Sequence, residues 1–168
     1  APFADGYSNT LADVVLKYWA TDLQPNLAND VPTKSGGIDD ATWQHLVTFA
    51  VGLGVERTIT SYTVDEAFRA INDTAIATRI SWPDPQTTSN LETIPERIDD
   101  MLHAAVNSRG GFFTASDTDG LTNALQRFIG DILGREGAAA AVVLNSGVIA
   151  SDTLVYQAKF NSASWAGQ

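Results

Sequence analysis

Cysteine is absent from this chain of 168 residues. Its absence excludes disulfide bonds, thiolate zinc sites and cysteine nucleophiles, and it fits a bacterial protein that is exported and folds without disulfides. Long apolar runs are also missing: none approaches the about 20 residues that a membrane-spanning helix needs, so we expect no membrane insertion. The chain shows no signal peptide and opens with Ala1, Pro2 and Phe3, so we expect a mature or cut fragment.

Basic residues are scarce. Lys and Arg number 10 against 20 Asp and Glu, which gives a formal net charge of −10 at pH 7. Nucleic acids and anionic membranes attract stripes of Lys and Arg, so neither is expected as a principal partner. The remaining composition, 44% hydrophobic and 18% charged, is typical of a globular core, and the length predicts one domain with part of a second.

Capping boxes and apolar periodicity predict two helices in the first half of the chain. Thr10 with Asp13 opens the first, and Thr63 with Glu66 opens the second. The apolar positions of the first helix are Leu11, Val14, Val15, Tyr18 and Trp19. Those of the second are Ala67, Phe68, Ile71 and Ala75. Between the helices, the continuous apolar run 46–53 predicts a central parallel strand covered on both faces.

The second half continues the alternation of helices and strands up to about residue 135. A third helix ends at Gly110, residues 112–115 form a strand, and a fourth helix begins at Ser116 and ends at Gly134 and Gly137. This order predicts an α/β fold with a Rossmann-like parallel sheet and flanking helices. Because such sheets usually have more strands, we interpret residues 1–135 as the C-terminal part of an α/β domain.

The last segment, residues 136–168, changes in character. A strand is predicted over 138–144, and apolar and polar residues alternate from 154 to 160. Period-two alternation is typical of antiparallel β structure. We expect a short β tail that leads into a different domain.

Few residues qualify for catalysis or metal binding. The chain has no P-loop, no G-x-S-x-G and no H-E-x-x-H motif. His45, beside Trp43, is interpreted as a packed and hydrogen-bonded side chain. Asp99 and His103 lie four residues apart, where they either pair on a helix face or supply two ligands of a metal site that still needs a third.

Two further acidic motifs have both a structural and a functional interpretation. Residues 117–120, DTDG, resemble the first half of a calcium loop, but capping of a helix by Ser116 with Asp119 explains the same residues. Asp5 precedes Gly6 at the start of a helix. Its position is that of a simple turn or of the crevice where open α/β sheets bind ligands.

Several blocks in order along the chain resemble the PilY-type proteins, which are tip-associated adhesins of type IV pili. The longest are residues 42–54, TWQHLVTFAVGLG, residues 99–110, DDMLHAAVNSRG, and residues 155–167, VYQAKFNSASWAG. Shorter blocks are residues 17–23, 29–32, 82–83 and 113–117. Together they cover almost the whole chain.

The resemblance implies a particular domain organisation. Residues 1–135 would be the C-terminal part of a von Willebrand factor A-like domain, and residues 136–168 the lead-in to a β-propeller that lies outside the chain. In such A domains a metal-ion-dependent adhesion site includes an Asp in a Thr-Asp-Gly turn. Asp5 occupies that turn, with Ala4 in place of Thr. We expect Mg²⁺ or Ca²⁺ in the full-length protein and no tight binding by this chain alone.

The leading hypothesis is a non-enzymatic module for adhesion and type IV pilus biogenesis. It would be exported through the periplasm to the pilus tip or outer cell surface. Its expected partners are minor pilins or the remaining part of the same protein, and a host or surface receptor. The alternative is a free-standing α/β hydrolase-type enzyme that uses carboxylates near Asp5, with Asp99, Asp100 or His103.

Three structural expectations follow from this interpretation. The strand over 46–53 should pair in parallel with the strand over 112–115. A helix face or sheet edge should be left for another chain to cover. Asp5 should lie at the carboxyl edge of the sheet, facing a crevice shared with Leu53 and Gly54.

Overall fold

The computed structural model describes residues 2–33, 37–54, 56–86, 95–115, 118–139, 160–161 and 166–167. The first elements are α1 (Leu11–Ala20), β1 (Phe49–Leu53), α2 (Val64–Arg69) and α3 (Thr74–Ala77). They are followed by α4 (Pro95–Asn107), β2 (Gly111–Ala115) and α5 (Thr118–Ala139). Two short strands close the order, β3 (Phe160–Asn161) and β4 (Ala166–Gly167).

The predicted parallel pairing is confirmed. β1 and β2 pair in parallel, with Phe49 opposite Gly111 and Leu53 opposite Ala115. The strand begins at Phe49, three residues later than predicted, because the segment before it bonds elsewhere: the Leu46 amide donates to the Tyr18 carbonyl at 3.2 Å. The structure is therefore mixed α/β. A central position for β1 in a larger sheet stays a prediction.

Helices cover both faces of this two-stranded sheet. Alternate side chains of a strand point to opposite faces; on one face, Ala50 and Phe112 join a buried core with Leu102 and Val106 of α4. On the other, the Phe49 ring meets the Phe128 ring of α5 edge to face, with centroids 5.1 Å apart. The sheet is the middle of three layers, as a parallel sheet requires.

The two predicted capping boxes are confirmed. The Thr10 and Thr63 hydroxyls accept from the amides of Asp13 and Glu66, and those carboxylates accept from the threonine amides in return. The predicted extension of the second helix to Ala75 is wrong. Asp73 starts a separate helix, α3, because its side chain accepts from the amides of Ala75 and Ile76.

The predicted end of the fourth helix at Gly134 and Gly137 is also wrong, because α5 continues to Ala139. A glycine within a helix costs only about 1 kcal/mol, and Arg135 holds this turn by donating to Asp39 at 2.6 Å. The predicted start at Ser116 lies outside the described residues. So does most of the predicted strand 138–144, whose first two residues belong to α5.

The tail shows the antiparallel pairing that its alternation predicts. Phe160 of β3 lies opposite Gly167 of β4, and Asn161 lies opposite Ala166. The division into residues 1–135 and 136–168 stays a prediction, and α5 runs through the boundary between them.

Two glycines provide a matched test of this packing. A Cβ at Gly110 would overlap the backbone carbonyl of Thr48, whereas a Cβ at Gly130 in α5 would meet no atom within 4 Å. We expect Gly110→Ala to lower the free energy of unfolding by about 1–3 kcal/mol or more. Gly130→Ala should raise it by about 0.5–1 kcal/mol. Urea denaturation measures both, and equal effects would contradict the described approach of Gly110 to Thr48.

Candidate functional site

Asp5 lies against helix α4. Its Oδ1 accepts a hydrogen bond from the Tyr7 amide at 2.8 Å, and its Oδ2 lies 3.4 Å from Nδ1 of His103. Both side chains are almost fully buried, with exposed fractions of 7% and 3%. The polar contacts of Asp5 among the described residues are with Tyr7 and His103; the crevice shared with Leu53 and Gly54 stays a prediction.

His103 holds the first residues of the chain on α4. Its Nε2 lies 3.2 Å from the Phe3 carbonyl, and because a carbonyl only accepts, Nε2 carries the proton. Trp82 stacks on the imidazole with ring centroids 4.3 Å apart, and its Nε1 donates to the Pro2 carbonyl at 2.8 Å. Nδ1 then faces the Asp5 carboxylate without a hydrogen bond.

The protonation of His103 is governed by two opposing effects. Burial lowers its pKa below the ordinary value, because the charged imidazolium loses its hydration. The negative charge of Asp5 and the Phe3 carbonyl act in the opposite direction and are the weaker influence. Burial is therefore the dominant influence, and it favours the neutral imidazole.

The neighbouring carboxylates are used in helix and loop capping. Asp100 accepts from the amides of Leu11 and Ala12, at 3.0 and 3.2 Å, at the amino end of α1. Asp99 accepts from the Thr58 amide at 2.8 Å. Burial raises the pKa of both carboxyls. The hydrogen bonds from these backbone amides oppose the rise in pKa, because they stabilise the charged carboxylate.

The structure does not support the hypothesis that Asp99 and His103 are two ligands of one metal site, because the two side chains face different partners. Asp99 turns towards Thr58 and Arg57, while His103 turns towards Phe3 and Asp5. In the part of the chain that the structure describes, no three potential metal ligands converge. For the predicted calcium loop, residues 116–117 lie outside the described part and Asp119 is exposed in the first turn of α5, so that hypothesis stays a prediction.

A second polar cluster, which the sequence did not predict, surrounds Asp39. The predicted packing of His45 is confirmed: it is buried, and its ring nitrogens lie 2.7 Å from the Trp43 carbonyl and 3.1 Å from Asp39. Asp39 also accepts from Trp19 Nε1 at 3.2 Å and from Arg135. Burial raises the pKa of Asp39, but the bonds from Arg135, His45 and Trp19 outweigh it and lower the pKa overall.

Arg109 completes this cluster. Its guanidinium lies over the rings of Trp19 and Phe3, 3.6 and 4.2 Å from their centroids, a cation–π arrangement. Its backbone has a positive φ of 57°, and its carbonyl accepts from Arg135. Asp39 lies in none of the sequence motifs, and Arg109 lies in the block 99–110 without a role assigned to it there. The only signal in the sequence was His45 beside Trp43: a packed, hydrogen-bonded histidine needs a partner such as a carboxylate.

A cleft of about 600 Å³ opens beside this cluster, between α5, α2 and the sheet. Its apolar walls include Phe49, Phe68 and Phe113, and Arg127 and Asp131 line it from α5. The volume is within the range of small-molecule sites. Its charged lining residues include both Asp and Arg side chains.

Among curated proteins, the chain is similar to several that are described as the type IV pilus biogenesis factor PilY1. The factors of Pseudomonas aeruginosa strains PAK and PAO1 are each 34% identical over 188 aligned positions, covering 99% of this chain. The factor of strain UCBPP-PA14 is 33% identical over 191 positions. Over nearly its whole length, the chain is similar to a part of PilY1. It spans only 16% of the length of each PilY1 relative.

The other comparisons gave no match. No family model matches the chain, and no solved structure does. Among the described helices, none combines the length and the apolar character needed to cross a bilayer.

The buried state of His103 predicts a pH dependence of stability. The pKa of His103 is lowered in the folded state. The contribution of His103 to the free energy of unfolding is therefore fully present above the ordinary pKa of about 6.5, and it is lost as the pH falls from there towards the folded pKa. The loss reaches about 1.4 kcal/mol per pH unit for one proton. His103→Gln keeps a donor for Phe3 and removes the titration, so its unfolding free energy should fall less between pH 7.5 and 5.5.

Urea denaturation at several pH values measures both slopes. Thr78→Ala, at an exposed position directly after α3, is the control and should keep the slope of the original chain. Equal slopes for His103→Gln and the original chain would show that His103 is not held neutral by burial.

Proposed function

We propose that this chain is a non-enzymatic module of a PilY1-type protein that acts in type IV pilus biogenesis and adhesion. The observation that carries the proposal is the 34% identity to PilY1 along 99% of the chain. Identity spread over the whole chain requires a shared core, because interior packing constrains residues throughout a domain. A role in pilus biogenesis is the function that the name of the relatives supports.

The arrangement around Asp5 supports a structural rather than a catalytic use of these carboxylates. Asp100 caps α1 and Asp99 caps the loop at Thr58. Asp5 faces a buried histidine. A hydrolase needs an acid, base or nucleophile that can reach substrate, and these groups are committed to backbone amides or buried. The alternative of a free-standing α/β hydrolase-type enzyme is therefore not favoured.

The proposed location is the pilus tip or the outer cell surface, reached by export through the periplasm. The proposed partners are minor pilins or the remaining part of the same protein, together with a host or surface receptor. The net charge of −10 supports partners other than nucleic acid. The three-layer order of α4, sheet and α5 supports residues 1–135 as part of a von Willebrand factor A-like domain, with residues 136–168 leading towards a propeller.

An exchange experiment tests the proposed function. The stretch of PilY1 that matches this chain is replaced by residues 1–168 in P. aeruginosa PAK, and surface pili are counted by electron microscopy. The exchange should restore pili that are lost when the stretch is deleted, because the proposal assigns both stretches the same role. The same exchange with Gly110→Ala should fail, since that variant disrupts the sheet.

The amount of exported protein is measured alongside the pili. A chimera that reaches the cell surface at the normal level but forms no pili would contradict the proposal. The Gly130→Ala exchange is the matched control and should behave like the unmodified chain.

A cation site at Asp5 is a second part of the proposal, and it concerns the longer protein. The described residues do not complete such a site, because no three potential metal ligands converge among them and Mg²⁺ or Ca²⁺ requires six or more ligands. We propose that Asp5 supplies one ligand and that the rest come from outside this chain.

Calorimetry tests the cation site. The 168-residue chain should bind Mg²⁺ or Ca²⁺ at best weakly, at the millimolar level or worse, because one or two oxygen ligands give little affinity. A longer protein that includes the remaining ligands should bind more tightly, and Asp5→Ala should abolish the gain. Tight binding that persists in Asp5→Ala would show that the site lies elsewhere.

A further inference from the structure

Nδ1 of His103 is a buried nitrogen that has no hydrogen bond among the described residues. The side chain is only 3% exposed. Because Nε2 donates to the Phe3 carbonyl, Nδ1 presents a lone pair. That lone pair faces the carboxylate of Asp5, with 3.4 Å between Nδ1 and Oδ2. A lone pair and a negative carboxylate repel each other unless a positive charge lies between them.

A proton is the first candidate for this positive charge. An imidazolium would donate from Nδ1 to Asp5, but burial lowers the pKa of His103 and so favours the neutral form. The separation of 3.4 Å between Nδ1 and Oδ2 also exceeds the about 2.7–3.2 Å of a normal hydrogen bond. A metal ion is the second candidate, since a neutral imidazole and a carboxylate both bind metals.

The geometry of the pair fits a tetrahedral ion. Zinc lies about 2.0–2.2 Å from imidazole nitrogen and carboxylate oxygen, so two ligands of one tetrahedral zinc are about 3.3–3.5 Å apart. The distance between Nδ1 and Oδ2 is 3.4 Å. A ligating histidine also donates its other N–H to an acceptor that fixes its tautomer and orientation. His103 donates to Phe3 in this way, and Trp82 stacks on its ring.

The second buried pair of histidine and aspartate differs from this one. Both ring nitrogens of His45 are hydrogen-bonded, to the Trp43 carbonyl and to Asp39 at 3.1 Å. The same oxygen of Asp39 accepts from Arg135, so that carboxylate already faces a cation. Among the described side chains, the ion-pair contact of Asp5 is with His103 alone. The pair of Asp5 and His103 therefore lacks the cation that the other pair has.

We propose that Nδ1 of His103 and Oδ2 of Asp5 are two ligands of a site for a divalent transition-metal ion such as Zn²⁺. No third protein ligand converges on them among the described residues, so water or groups outside the chain complete the coordination. The ion reaches the pair from the surface, because Ala4 and Gly6 on either side of Asp5 are exposed. A Cβ built on Gly6 would meet no atom within 4 Å.

The inference rests on the proposed use of Asp5 as a metal ligand and adds a ligand that selects a different class of ion. Mg²⁺ and Ca²⁺ take oxygen ligands, and for them the further oxygens come from outside the chain, as proposed above. Imidazole nitrogen instead suits zinc and its neighbours in the first transition series. The nitrogen of His103 is thus the group that distinguishes the two classes of ion.

Calorimetric titration of the 168-residue chain with Zn²⁺ and, separately, with Mg²⁺ tests the inference. Zn²⁺ should bind at least ~10-fold more tightly than Mg²⁺. Asp5→Asn keeps the acceptor for the Tyr7 amide, and His103→Gln keeps a donor for Phe3. Each should weaken Zn²⁺ binding at least ~10-fold, the loss that even an outer partner of a ligand causes. Asp65→Asn removes an exposed carboxylate and is the matched control, with unchanged affinity.

The two histidines of the chain provide a second readout that requires no variant to fold. Zn²⁺ should shift the imidazole ¹⁵N resonances of His103 and leave those of His45 in place, because both nitrogens of His45 are hydrogen-bonded. Resonances of His103 that do not respond to Zn²⁺ would overturn the inference. So would a Zn²⁺ affinity that is the same in all three variants, which indicates binding to surface carboxylates only. Neither readout depends on pili, so the exchange experiment in P. aeruginosa can fail independently.

Discussion

The burial of polar side chains on α4 is the constraint that organises the rest of the structure. A buried polar group without a partner costs about 1–3 kcal/mol, and the polar side chains of α4, together with Ser108 directly after it, bond to segments that are distant in the sequence. The partners are the Thr58 amide for Asp99, the Leu11 and Ala12 amides for Asp100, the Phe3 carbonyl for His103, the Ala12 carbonyl for Asn107 and the Thr48 amide for Ser108. These bonds fix α1, the first residues and the entry to β1 at the same time.

Local signals were sufficient for part of the fold. The capping boxes at Thr10 and Thr63 involve residues three apart, so the sequence alone contains both partners. The parallel pairing of β1 and β2 followed from unbroken apolar runs separated by a helix. The break before α3 was missed because the Asp73 side chain competes for the same amides that a continuous helix would use.

Hydrogen bonds and ion pairs between residues far apart in the sequence determine the features that the sequence analysis missed. α5 extends past Gly134 because Arg135 reaches Asp39, 96 residues earlier in the chain. The partner of Asp5 is similar: the Asp-Gly turn marks the residue in the sequence, but only folding brings His103 to its carboxylate. Residue type and spacing identified some of the polar groups that fold into the interior, such as His45 and His103, but the choice among several distant partners is made by packing in three dimensions.

The same long-range bonds determine how the chain reaches this structure. Asp100 meets Leu11 across 89 residues, Asn107 meets Ala12 across 95, and His103 meets Phe3 across 100. Closing loops of this length costs entropy before any contact compensates for it, so folding is slow relative to that of a helical bundle of this size. Until α4 docks, the apolar run 46–53 lacks its cover, and during that interval the chain is prone to aggregation.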